Sequence, residues 1–253
     1  MMLFVMEVSM QHNDPLQIYG GKEYVINKII KIHHPTLGEI RDFGEQAYYG
    51  LIQSLTATTT DMKYQLYLEG KDWNEYSDFE LFMDMCREFT QNRTKILFGD
   101  LDLSAYTRCK NLQNDEKCLY NKQTDNVIDK SVYELVVSYL RKMHSLQKNE
   151  ERAMNEFTRQ VLLEEAEENY NMNKDKPFKS VLLPLISAMS IMCGWDMDSI
   201  WNMEINVFMD AVKRIKHVKN AELLLQSGSS AFGIDLNKLK NKNKVLNYFE
   251  ELE

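Results

Sequence analysis

The stretch "KIHHPTLGEIRDFGEQAYYGLIQSLT" (residues 31–56) contains the change of period that decides the fold. Before Pro35 the texture is extended. Proline has no amide proton to give to a sheet ladder, so it ends a strand there. After Pro35, Leu37, Ile40, Gly44, Ala47, Tyr48, Leu51 and Leu55 recur three or four apart, the period of one helical face. Thr36 followed three residues later by Glu39 forms a capping box. The hydroxyl accepts from the N3 amide and the carboxylate reaches back to the Thr36 amide. A strand is therefore expected to turn into a helix at Pro35.

Working outward, "PLQIYGGKEYVINKIIKI" (residues 15–32) reads as a β-hairpin turning at Gly20-Gly21. "TATTTD" (56–61) reads as a loop, followed by a short helix to about Leu68 that Gly70 ends. "SDFELFMDMCREF" (77–89) repeats the capping signal with Ser77 and Glu80, and Phe79, Phe82, Met85, Cys86 and Phe89 form its apolar face. "KILFG" (95–99) is a strand candidate. "AYTRCKNLQNDEKCLY" (105–120) reads as a hairpin turning through "LQND", which pairs Asn111 with Glu116 and sets Cys109 opposite Cys118.

The second half reads as helical. Val132, Leu135, Val136, Tyr139, Leu140, Met143 and Leu146 make one stripe, and Ala153, Met154, Phe157, Val161 and Leu162 another. "QKNEER" separates them, and either one long helix or two fits. "VLLPLISAMSIM" (181–192) has 12 uncharged residues, which suits a buried helix and is too short for a membrane span. A last long helix is expected from about Asp198 to Gln226, followed by a basic tail. The fold class expected is mainly α, with an N-terminal β-hairpin and a small central one. Residues 1–128 form an N-terminal lobe and 129–253 a helical lobe, unless the chain is one continuous domain.

Composition narrows the function. Only 10 glycines and 4 prolines in 253 residues leave few tight turns, which favours long helices. The net charge of −8 argues against general nucleic-acid binding. Residues 211–244 carry eight basic and two acidic side chains, so this segment is +6 and the remainder −14. It can dock an acidic partner, fold back on its own body, or simply be solvated. The opening "MMLFVMEVSM" lacks the basic start and cleavage site of a secretory signal, so the cytosol is the expected location. The four cysteines form no CxxC pair and no disulfide framework; Cys109 and Cys118, if opposed, are close enough to oxidise, and a reducing compartment favours free thiols.

Each candidate for chemistry has a structural alternative. His33 and His34 are adjacent in a strand and point to opposite faces, so one metal cannot easily take both. His144 and His217 stand alone on helices. Glu39, Asp42 and Glu45 lie near helix starts, where carboxylates complement the dipole. "GGKE" (20–23) lacks the spacing of a phosphate loop. Asp100 and Asp102 share a face if extended and are the one pair offered to a divalent cation, with no third acid nearby. Cys86 and Cys193 sit in apolar helical contexts that suit inert thiols. The expectation is no enzyme, no cofactor and no metal.

The hairpin followed by Pro35, Thr36, Gly38 and Glu39 resembles the opening of tail assembly chaperones from phages and prophages of low-GC Gram-positive bacteria. "YELVVSYLRKMHSLQKN", "KPFKSVLLPLISAM" and "FMDAVKRIKHVKNAELLL" are also similar to that group, so the resemblance extends over most of the chain. It implies a protein that coats the long apolar helices of a tape measure protein in the host cytoplasm until the tail tube protein polymerises around them, and that is missing from the finished virion. It implies no catalytic residues. Methionine and aromatic side chains on amphipathic helices can line such a groove, and the lining expected is Phe79, Phe82, Met85, Phe89, Trp201, Met203, Phe208 and Met209. Self-association is compatible with this role. The rival expectations are a structural tail or connector subunit, a metal enzyme at Asp100 and Asp102, and a regulatory protein acting through the basic tail.

Overall fold

The computed structural model describes residues 13–111, 115–228 and 234–249. The architecture is mainly α with two small antiparallel sheets. The chain begins with a short helix α1 (Pro15–Tyr19) and the two-stranded ribbon β1 (Tyr24–Val25) and β2 (Lys31–Ile32). The hairpin is present, but its turn is displaced from the expected Gly20-Gly21. Asp14 accepts from the amides of Leu16 and Gln17, and Pro15 stands at the first helical position, where its missing N–H costs nothing. The reversal comes instead at Asn27, whose Oδ1 accepts from Ile29 N at 2.9 Å and Ile30 N at 2.7 Å.

The transition at Pro35 holds. Thr36 and Glu39 form the capping box of α2 (Leu37–Phe43), with Glu39 N to Thr36 Oγ1 at 3.1 Å and Thr36 N to Glu39 Oε2 at 2.7 Å. Gly44 divides the expected single helix. It takes φ of +97°, open to glycine and strained for other residues, and α3 (Glu45–Thr56) continues from it. Leu37, Ile40, Tyr48, Leu51, Ile52 and Leu55 from this pair are buried.

Next come α4 (Lys63–Leu68), α5 (Asp78–Met85) and α6 (Gln91–Phe98). Ser77 and Glu80 cap α5 as expected. "KILFG" is not a strand. It lies at the end of α6, where Thr94, Leu97 and Phe98 fall on one buried helical face and Gly99 follows with positive φ. A short apolar run does not distinguish strand from buried helix by period alone.

A three-stranded sheet follows: β3 (Thr107–Lys110), β4 (Lys117–Asn121) and β5 (Asn126–Ile128), in the order β3-β4-β5. The β3–β4 register is the one the sequence implied, with Cys109 opposite Cys118 and Asn111 N donating to Glu116 O; most of "LQND" lies outside the described residues. The third strand was not expected.

The remainder is α7 (Lys130–His144), α8 (Glu156–Asn173), α9 (Leu182–Cys193), α10 (Met197–Trp201), α11 (Ile205–Gly228) and α12 (Lys242–Leu246). "QKNEER" thus separates two helices, and α7 ends at Ser145 in a left-handed conformation. The buried face of α7 is Tyr133, Val136, Val137, Leu140, Met143 and His144, so Leu135 and Leu146 of the expected stripe face outward. In α8 only Leu162 is buried, and Met154 and Phe157 are exposed. The last long helix is interrupted after Trp201. There Leu37 N donates to Met203 O, and Ile205 N donates to Pro35 O, tying the start of α11 to the Pro35 junction.

One large cluster of buried side chains draws on both sides of residue 128, from Ile26 and Phe82 to Leu182 and Phe208. The basic tail packs back on its own body. Arg214 donates to Tyr248 O, and His217 Nε2 meets Asn247 O at 2.8 Å.

Candidate partner-binding face

The eight side chains expected to line a groove are core or core-adjacent. Phe79, Phe82, Phe89 and Phe208 are buried, the last two completely, and Met85, Trp201, Met203 and Met209 are half-buried against the same cluster. Phe82 packs on Phe89 and on Tyr133 with ring centroids 5.7 and 5.1 Å apart. Arg41 lies over the Trp201 ring. These residues hold the fold together, and they do not present a common open surface.

The apolar surface that does face outward is on α9. Its inner side, Leu182, Leu185, Ile186, Met189 and Cys193, packs into the core. Its outer side carries Leu183, Pro184, Ala188, Ile191 and Met192 around Ser187, all exposed, with Ile191 at 82% and Leu183 at 65%. Positions 184, 188 and 191 recur at helical spacing along one outward stripe. No charged residue interrupts the helix. Phe178 and Val181 before it and Met197 after it extend the exposed apolar surface. Lys176 and Lys179 bound it at one end, and Asp196 and Asp198 at the other. Exposed apolar surface with a polar rim is a feature of many interaction sites.

This helix is held from a distance. Glu45, at the start of α3, accepts from Val181 N at 2.7 Å and Leu182 N at 2.8 Å through one carboxylate oxygen. Its carboxylate therefore sits at two helix starts, its own and that of α9, and satisfies amides that no local residue caps. At the other end Gly194 adopts the left-handed conformation expected of a C-cap, and Ser190 Oγ donates to Trp195 O at 2.9 Å. The inner face and both ends are fixed while the outer face is bare. The sequence carried the signal, an uncharged helix, but pointed to full burial.

The other candidates resolve as structure. His33 and His34 do diverge: His33 is half-buried beside Glu39, at 3.5 Å, and His34 is buried. His34 Nε2 lies 2.6 Å from the Tyr139 hydroxyl, and its Nδ1 lies 3.5 Å from Glu204 Oε2, too far for a hydrogen bond. Burial pushes His34 down to about 4 and raises Glu204, so His34 is neutral at pH 7. His144 is fully partnered. Its Nδ1 meets the Leu140 carbonyl at 2.8 Å, an acceptor only, so Nδ1 carries the proton and Tyr48 donates to Nε2 at 2.6 Å. Burial also pushes His144 down to about 4. Asp102 accepts from Ser104 N and Oγ at the start of a 3₁₀ turn, and Asp100 accepts from Gln91. Among the described residues no three His, Cys, Asp or Glu side chains are placed to hold a metal ion, and no helix is long and apolar enough to cross a membrane.

Comparison with protein-family models, with curated proteins and with solved structures finds no match to this chain.

Proposed function

We propose that this chain is a non-enzymatic binding protein that shelters apolar helices of a phage tape measure protein in the host cytoplasm during tail assembly and is left out of the finished virion. The observation that carries the reading is the outer face of α9. It is apolar, uncharged along the helix and rimmed by charge, and it suits a helix laid lengthwise against it. The resemblance of the Pro35-Thr36-Leu37-Gly38-Glu39 opening to tail assembly chaperones supplies the partner class.

The test is co-expression with a phage tape measure protein. The soluble fraction of that protein is expected to rise with this chain and to fall back when Leu183 and Ile191 are both replaced by Asp. Equal insolubility with and without the chain overturns the reading. Mass spectrometry of purified virions separates a chaperone from a structural tail or connector subunit, since only the subunit is retained.

A further inference from the structure

The β3–β4 hairpin sets two thiols face to face. Cys109 and Cys118 are directly opposed across the strands, and their Sγ atoms lie 2.8 Å apart. The register is fixed on both sides, by Arg108 opposite Leu119 and by Lys110 opposite Lys117. Backbone geometry therefore holds the pair. Opposed residues of an antiparallel ladder have Cα atoms about 4.5–5.5 Å apart, within the span a disulfide bridges.

Their environments differ. Cys109 is half-buried and reaches solvent, and Cys118 is buried. Burial first, and then the hydrogen bond with Cys109, push the Cys118 thiol up to about 12. Cys118 thus keeps its proton while Cys109 is the thiol an external reagent meets. Cys86 is buried, donates to Leu103 O at 3.0 Å and is also pushed up to about 12, so it is inert.

We propose that Cys109 and Cys118 are a two-electron redox pair that reacts with oxidised low-molecular-weight thiols, the class of glutathione disulfide, and closes to a cross-strand disulfide. The Cys109 thiolate attacks one sulfur of the small disulfide. That S–S bond breaks, a mixed disulfide forms on Cys109, and one small thiolate leaves and is protonated. The Cys118 sulfur then attacks the Cys109 sulfur. The mixed disulfide breaks, and the second small thiolate departs with the Cys118 proton. Two protein thiols are oxidised and one small disulfide is reduced to two thiols. The product pins the register of a hairpin that ion pairs already tie to α5, Arg108 to Asp84 and Lys117 to Glu80. This inference is independent of the tape measure reading.

The experiment uses the folded full-length chain. It is incubated with glutathione disulfide, the remaining thiols are alkylated, and the chain is cleaved after Lys110 and Lys117 before mass spectrometry. The expected product is the Cys109 and Cys118 peptides joined and lacking two hydrogens, with Cys86 and Cys193 alkylated. In Cys118→Ser the reaction is expected to stop at a glutathione adduct on Cys109. In Cys109→Ser, Cys118 is expected to carry no adduct. Alkylation of both Cys109 and Cys118 after oxidation overturns the proposal, as does a mixed disulfide that persists on Cys109 in the unsubstituted chain.

Discussion

Helices α5 and α9 are both rich in apolar side chains, and they use them in opposite ways. In α5, Phe79, Leu81, Phe82 and Met83 are buried. The charged residues between them are engaged, Asp78 with Lys148, Glu80 with Lys117, and Asp84 with Lys71 and Arg108. That is the pattern of a helix with a solvated outer face and a core face. In α9 the outer face is uncharged and, apart from Ser187, apolar, yet only the inner one is covered. Aromatic content does not set the two helices apart. The missing charged outer face does.

The largest effect that can break this comparison is at the aromatic side chains. Phe89 and Phe208 have no exposed surface. Replacing either by Ala is expected to cost about 3–5 kcal/mol, read from denaturant unfolding, because the transfer energy is lost and a cavity is left. If Phe208→Ala instead left stability intact and abolished partner binding, the aromatic positions would be the docking surface.

The second effect is on acid stability. His34 and His144 are both held down at about 4, largely by burial, against an ordinary value of 6.5. Between pH 6.5 and 4 the unfolded chain therefore binds protons that the native chain refuses. Stability is full above this window and is lost as pH falls through it, by on the order of 3 kcal/mol per histidine. His144→Gln is expected to flatten the slope in that window, seen in unfolding curves taken at successive pH values. An unchanged slope would mean that His144 is not desolvated as the structure places it.

The parts of this fold that the sequence made legible are those where a local rule and the tertiary structure agree. Thr36 with Glu39 and Ser77 with Glu80 were readable because a capping box satisfies its own amides. The Cys109–Cys118 register was readable because a short turn fixes pairing. "KILFG" was misread because three apolar residues fit either period, and only the packing of Leu97 and Phe98 decides. The bare face of α9 was half legible. The lack of charge in residues 181–193 was plain, but which side stays bare depends on tertiary contacts: the core packing of Leu182, Ile186 and Met189 and the hydrogen bonds from Glu45, more than a hundred residues away in the chain. No local pattern encodes that.

A third, smaller effect separates the two kinds of cap. Thr36→Ala removes a local cap and is expected to cost about 1 kcal/mol of global stability. Glu45→Ala removes the distant one. It is expected to cost a similar amount and, in addition, to raise hydrogen exchange at the amides of Val181 and Leu182. If those amides stay protected, α9 is positioned by its inner apolar face alone.

The smallest expected effect on stability is also the most informative about function. Ile191 is 82% exposed and Leu183 65% exposed, so neither contributes much buried area to the isolated fold. Replacing each by Ser is expected to shift unfolding by no more than about 0.5 kcal/mol, as at other surface positions. A core helix punishes polar substitution with lost stability, and a docking helix punishes it with lost binding. The double change should therefore leave the melting curve in place while the partner's soluble fraction falls. A large drop in stability would mean that the outer side of α9 is covered within this chain, and the contrast with α5 would disappear.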